Sequence, residues 1–163
     1  MNLAISKIAE SDVLLTLPSS KDQFVLKGKP LSGHTEYFRE IYKSNSLSMN
    51  FISNDMITTL LSDHIPISKV SSYLTEELIV NKIQLTIDSL LKIRNISEVI
   101  FSGINPHCGE DGLMGDEDSV VNNSIKRLEI IYPKIIFTGP LPGDTMHFSH
   151  KNSSQLLVYA YHD

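Results

Sequence analysis

Only one cysteine, Cys108, stands in the 163 residues. With no partner in its own chain it excludes an intramolecular disulfide and fits a reducing compartment, so a cytoplasmic protein is expected. No apolar run reaches the ~18 residues of a membrane-spanning helix. The opening residues, MNLAISKIAESD, carry a lysine and acids but no long apolar core, so no secretory signal is expected. Positive charge is scarce as well. Fourteen Lys and Arg against 19 Asp and Glu leave a net charge of -5, and the basic residues are scattered. That balance gives no reason to expect nucleic acid or an anionic membrane as a partner. Internal repeats, low-complexity tracts and obvious linkers are absent too.

What is present describes an ordinary globular chain. A hydrophobic content of 41% and a charged content of 20% suffice for a real core, and the length predicts one domain over 1–163. LAISKIAE is a short helix candidate, and DVLLTLP a strand-like run stopped by Pro18. The segment SSKDQFVLKGKPLSG predicts a loop from its Gly, Pro and Ser content. HTEYFREIYKS has Phe38, Ile41 and Tyr42 at helical spacing. MNFIS and MITTLLSDH predict two strands around an Asn54-Asp55 turn. TEELIVNKIQLTIDSLLKIRN is the clearest helix, with Thr75 as its cap and two glutamates where the helix dipole favours them. EVIFSGI, KIIFTG and QLLVYAYH predict buried strands, and Val120, Val121, Ile125, Leu128 and Ile131 form a helical stripe between the first two. Helices alternating with apolar strands predict an α/β fold with a largely parallel sheet.

Six histidines are present, and an ordinary histidine is a surface or internally satisfied residue. Three share a context. His64, His107 and His162 each follow an apolar, strand-like run, where open α/β sheets hold their ligands. Three neutral imidazoles suit Zn²⁺, Co²⁺ or Fe²⁺ with positions left for a substrate, although their long spacing matches no local metal signature. Asp63 and Asp163 adjoin two of them as candidate supporting partners.

The stretch GINPHCGEDGLMGDED leaves three readings open: a metal site, a glycine-built anion cradle, and a polar connection. Cys108 reads as a passive small residue, since no other part of a cysteine hydrolase is visible. Acids after Gly115 read as the first turn of the next helix. His34 and Thr35 sit at a predicted helix N-terminus, suited to a phosphate, with ordinary capping as the simpler alternative. GPLPGDT reads as a stiff turn ending at Asp144.

Taken in order, LTLPSSK, SGHTEYF, SDHIPISKV, GINPHCGEDGLMGDED, GPLPGDT and YAYHD resemble motifs of the 4-hydroxythreonine-4-phosphate dehydrogenase family of pyridoxal phosphate biosynthesis. The likeness runs from about Asp12 to Asp163. It implies metal ligands at His64, His107 and His162 and substrate binding at His34 and Thr35. Lys21 and Asp144 match motif positions to which no role is carried over. It also implies a three-layer α/β/α lobe like that of isocitrate and isopropylmalate dehydrogenases. Implied partners are NAD or NADP, a divalent Zn, Co or Mg ion, and a second identical subunit that shares the metal site. The implied reaction oxidises and decarboxylates 4-phosphooxy-L-threonine, a phosphorylated hydroxy amino acid, to 3-amino-2-oxopropyl phosphate. Members of this family are about twice as long, and their N-terminal and C-terminal motifs have no counterpart here. The chain therefore corresponds to the middle of such an enzyme. A non-catalytic metal- or phosphate-binding or dimerisation module remains as the alternative.

Overall fold

The structure is a computed structural model and describes residues 2–9, 13–20, 24–31, 33–42 and 47–162. It falls into two compact units, Met1–Asn45 and Ser46–Asp163.

The first unit holds helix α1 (Asn2–Ile5), strands β1 (Val25–Leu26) and β2 (Lys29–Pro30), and helix α2 (His34–Tyr42). Its small core is Phe24, Leu31 and Tyr37, with Ile5, Leu26, Phe38 and Ile41 packed against it. Two expectations are corrected here. The predicted loop contains a hairpin, because Lys27 and Gly28 both take positive φ (51° and 79°), the condition for a two-residue turn between twisted strands. The run at 13–18 is not a strand among the described residues. Val13, Leu15 and Leu17 are 91%, 86% and 76% exposed, so their alternation finds no sheet to pack on.

The second unit is the α/β body. Strands β3 (Met49–Ile52) and β4 (Ile57–Leu60) form an antiparallel hairpin, as predicted. After the short helix α3 (Val70–Tyr73) come α4 (Glu76–Leu90), β5 (Glu98–Ser102), α5 (Ser119–Ile131), β6 (Ile136–Leu141) and β7 (Gln155–Tyr159). The sheet order is β3-β4-β7-β5-β6, and every pairing except β3/β4 is parallel. The mostly parallel α/β sheet expected from the sequence is therefore present.

Strand alternation sorts the core into two faces. Val99 and Phe101 of β5 and Leu156 and Val158 of β7 pack with Ile79, Ile83 and Ile87 of α4 and Leu128 of α5. Ile100 and Leu157 face the other way, against Met146 of a 3-10 turn. Strands buried on both faces read as continuous apolar runs, which is why these two were visible in the sequence. The Thr75 side chain accepts the Leu78 N–H at 3.2 Å and starts α4 as predicted. Among the described residues no helix is long and apolar enough to cross a membrane.

α4 and α5 are tied at one end by Tyr132, whose hydroxyl donates to the Asp88 carboxylate at 2.7 Å. Burial, and then Asp88, push the ionisation of this phenol well above the usual tyrosine range. A raised folded-state pKa means the unfolded chain ionises first. The contribution is complete below pH ~10 and falls as pH rises beyond it. Tyr132→Phe should cost about 1 kcal/mol at neutral pH and flatten the loss above pH ~10. Some slope remains from Tyr159, which burial also raises. Urea unfolding at neutral and alkaline pH checks this; an unchanged alkaline slope in the variant would refute it.

Candidate active site

All parallel strands present their carboxyl ends along one edge of the sheet, and the segments leaving them carry the candidate residues. β4 leads through Leu61, Ser62 and Asp63 to His64. β5 leads through Gly103 to His107, β6 to Gly143 and Asp144, and β7 to Tyr161 and His162. β7 lies between β4 and β5 although it is last in the chain, so the His162 segment is inserted between the other two. Ligands of open α/β sheets lie outside such strand ends.

A cleft of about 700 Å³ opens there, lined among others by Phe51, Asn105, His107, Asp144, Tyr161 and His162. His64 stands outside that lining but close by, its ring centroid 6.1 Å from that of His162. Phe51 also meets His162 in a T-shaped arrangement, centroids 6.4 Å apart. Two imidazoles on one cation, with metal–nitrogen bonds of about 2 Å, place their centroids roughly 5 Å apart. The His64–His162 pair is near that spacing.

His107 belongs to an unusual loop. From His107 to Asp111 five consecutive residues have positive φ (49°, 56°, 78°, 44° and 54°), a left-handed turn that only Gly109 adopts without strain. Within it the His107 Nδ1 lies 2.7 Å from Glu110 Oε1. A carboxylate on one ring nitrogen fixes the tautomer and leaves Nε2 as the lone-pair nitrogen, the arrangement common behind metal-bound histidine. The same carboxylate raises the His107 pKa, first through the hydrogen bond and then through its charge.

The loop is pinned from α5. Asp118, 4% exposed, turns its carboxylate back to accept the Ile104 N–H at 2.6 Å and the Asn105 N–H at 3.2 Å. The Asn105 side chain donates to Glu117 at 2.7 Å, which holds that carboxyl below its usual range. This corrects the reading of these acids as a first helical turn. α5 begins at Ser119, and Asp118 makes no cap bond with its side chain. Cys108 is a half-buried free thiol. Burial, followed by the nearby Asp118 charge, pushes its thiol up and away from the thiolate form.

In the first unit, His34 and Thr35 open α2 as predicted. The His34 ring packs edge-on to Phe24 at 4.5 Å, and its Nε2 is buried with no hydrogen-bond partner among the described residues. A buried nitrogen left unpaired is costly, and an anion at the helix start would satisfy it. Lys21 and Asp163 lie outside the described residues. Asp144 lines the cleft.

The donor set therefore fits a divalent cation in chemistry, and one chain brings two of the three imidazoles together. Among the described residues no group of three His, Cys, Asp or Glu stands close enough to hold a metal. Asp118 as a pin and Ser62 and Ser102 at the edge of the site leave no signal in the sequence, because their partners are remote in the chain.

The family described as pyridoxal phosphate biosynthetic protein PdxA matches residues 2–163. A 4-hydroxythreonine-4-phosphate dehydrogenase of Vibrio cholerae is 33% identical over 159 residues, covering 94% of this chain and 48% of the relative. One from Sulfurihydrogenibium is 31% identical over 157 residues, with 94% and 48% covered. The chain thus spans about half the length of these curated relatives. The crystal structure of a 4-hydroxythreonine-4-phosphate dehydrogenase from Klebsiella pneumoniae superposes with a TM-score of 0.68 at 25% identity, over 82% of this chain and 41% of that one. The enzyme of that name from Burkholderia phymatum gives 0.66 at 28% identity, with 80% and 40% covered.

Proposed function

The chain belongs to the PdxA family of pyridoxal phosphate biosynthetic proteins, and on that premise we propose that it supplies the metal-handling and hydroxy-acid-handling part of a cytoplasmic 4-hydroxythreonine-4-phosphate dehydrogenase. The reaction assigned to it is the NAD(P)-dependent oxidation of 4-phosphooxy-L-threonine, with decarboxylation to 3-amino-2-oxopropyl phosphate. The observation that carries the reading is the strand-end cleft holding His107 and His162, with His64 beside His162.

His64, His107 and His162 would hold a divalent cation. Bound there, such an ion supplies Lewis acidity to a substrate hydroxyl and to the carbonyl that replaces it. The chain's own residues orient the reactants. Glu110 keeps the His107 ring in one tautomer. Phe51 and Tyr161 line the cleft in which the substrate would be held. His34 and Thr35 would meet the phosphate at the start of α2. One chain pairs only two of the imidazoles among its described residues, so a second copy is assigned the completion of the set, which makes the working unit a homodimer. The described lining residues include no lysine or arginine to meet a pyrophosphate. By themselves they do not fit the nicotinamide nucleotide.

The test is a Co²⁺ titration of the chain, followed by calorimetry with 4-phosphooxy-L-threonine and by NADH formation. Cation binding is expected, weakened about 100-fold by His64→Ala, His107→Ala or His162→Ala. Substrate affinity should drop when the ion is chelated and return when it is restored. If the chain binds neither the cation nor the phosphorylated substrate, the reading is wrong.

A further inference from the structure

Ala160 sits between β7 and the His162 segment and is 1% exposed. Both of its backbone polar groups are taken by serine hydroxyls from neighbouring strand ends. The Ala160 N–H donates to Ser102 Oγ at 3.0 Å. The Ser62 hydroxyl donates to the Ala160 carbonyl at 2.8 Å, beside the Ser62 N–H, which donates to the same oxygen at 3.1 Å. Ser62 is fully buried and Ser102 is 3% exposed.

On the β5 side the side-chain bond replaces a main-chain ladder bond; on the β4 side the Ser62 hydroxyl adds to one. At Gly103 the strand turns toward β6, and the Gly103 N–H donates to the Leu141 carbonyl. The Ala160 N–H instead takes a side-chain acceptor from β5, and a buried amide rarely goes unpaired. On the other side the Leu61 N–H still donates to the Tyr159 carbonyl, so β4 and β7 remain in register up to this point. Ser62 carries the contact one residue further.

The placement of these hydroxyls relative to the histidines is the relevant feature. Ser62 is two residues before His64, Ser102 five before His107, and Ala160 two before His162. The geometry points to Ser62 and Ser102 as positioning residues. Together they fasten the three strand ends at one alanine and so hold His162 beside His64 and over the cleft it shares with His107. The consequence for metal binding rests on the function proposed above; the fastening itself does not.

The experiment reads the two separately, on the full chain. The variants are Ser62→Ala, Ser102→Ala and Ser102→Thr, which keeps the hydroxyl. Ser124→Ala is the control, a fully buried serine whose hydroxyl donates within α5 to the Val120 carbonyl at 2.7 Å. The metal-free readouts are amide exchange at Ala160 and the NOE between the His64 and His162 rings. Ser102→Ala should speed Ala160 exchange at least about tenfold, and either serine-to-alanine change should weaken the inter-ring NOE. Ser102→Thr should restore both signals, and Ser124→Ala should leave both as in the unsubstituted chain. Co²⁺ affinity should fall about tenfold to a hundredfold in the two alanine variants. Wild-type exchange and NOE in both alanine variants would overturn the proposal, as would equal changes in Ser124→Ala. A chain that takes no Co²⁺ but whose inter-ring NOE responds to Ser62 and Ser102 would refute the metal reading and leave the fastening in place.

Discussion

Asp118→Ala should lower the unfolding free energy by about 3–5 kcal/mol, a large share of the margin of a domain this size. The carboxylate is buried and accepts two backbone N–H groups, from Ile104 at 2.6 Å and Asn105 at 3.2 Å. A hydrogen bond to a charged acceptor contributes roughly 1.5–3 kcal/mol, and alanine removes both at once. The residues just beyond are strained. Four non-glycine residues between His107 and Asp111 hold positive φ, each at a cost of order 1–2 kcal/mol. Such a run persists only where its surroundings over-determine it. The Cys108 N–H to Asn105 carbonyl bond (3.1 Å) and the Met114 N–H to Gly109 carbonyl bond (2.9 Å) close it on the inside. Asp118 pins its entry from the outside. Without that pin the run should relax and carry His107 away from Glu110. Asp118→Asn keeps one acceptor oxygen and should lose about half as much. Urea unfolding, scored by midpoint at constant slope, checks both variants. A midpoint within error of the unsubstituted chain in Asp118→Ala would show that the carboxylate does not hold the loop.

Local signals in the sequence identify most elements of the second unit. β5 and β7 declare themselves as unbroken apolar runs because both of their faces are covered. α4 declares itself through Thr75 and a stripe ending at Leu90. The hairpin of β3 and β4 follows from an Asn54-Asp55 turn between two strand-like runs. The same local signals mislead at Val13, Leu15 and Leu17, whose alternation is that of a strand while no strand among the described residues pairs with it.

The site divides in the same way. His64, His107 and His162 could be picked out because each follows a strand, and strand ends converge in a parallel sheet. What supports them could not. Ser102 reaches Ala160 across 58 residues, Ser62 reaches it across 98, and Asp118 reaches back 14 to Ile104. No periodicity records a bond between a side chain and a remote backbone group, so by position alone Asp118 resembles one of the acids of a helix start.

Gly139→Ala should cost about 3 kcal/mol or more, an effect of the same order as the loss of Asp118. Two independent costs coincide there. The φ of Gly139 is +125°, a conformation that side chains rarely adopt. A Cβ at this position would also lie 2.5 Å from the Phe101 carbonyl oxygen and 3.1 Å from the Phe101 Cβ. The first of those atoms is backbone of a fully buried residue, so no rotamer change relieves the contact. β6 would have to move off β5 where the pairing already shifts register, between Ile100 and Ser102. Both strands feed the cleft, β5 through Ser102 to His107 and β6 through Leu141 to Asp144. Displacement would therefore also lower affinity for a cation or substrate held there. Gly112→Ala separates the two costs. Gly112 also has positive φ, +92°, but an added Cβ would meet nothing within 4 Å. It should lose only about 1–2 kcal/mol, from backbone strain alone. Urea unfolding of the two variants side by side measures the difference. If Gly139→Ala is no less stable than Gly112→Ala, the approach of β6 to Phe101 is not the constraint that keeps glycine at this position.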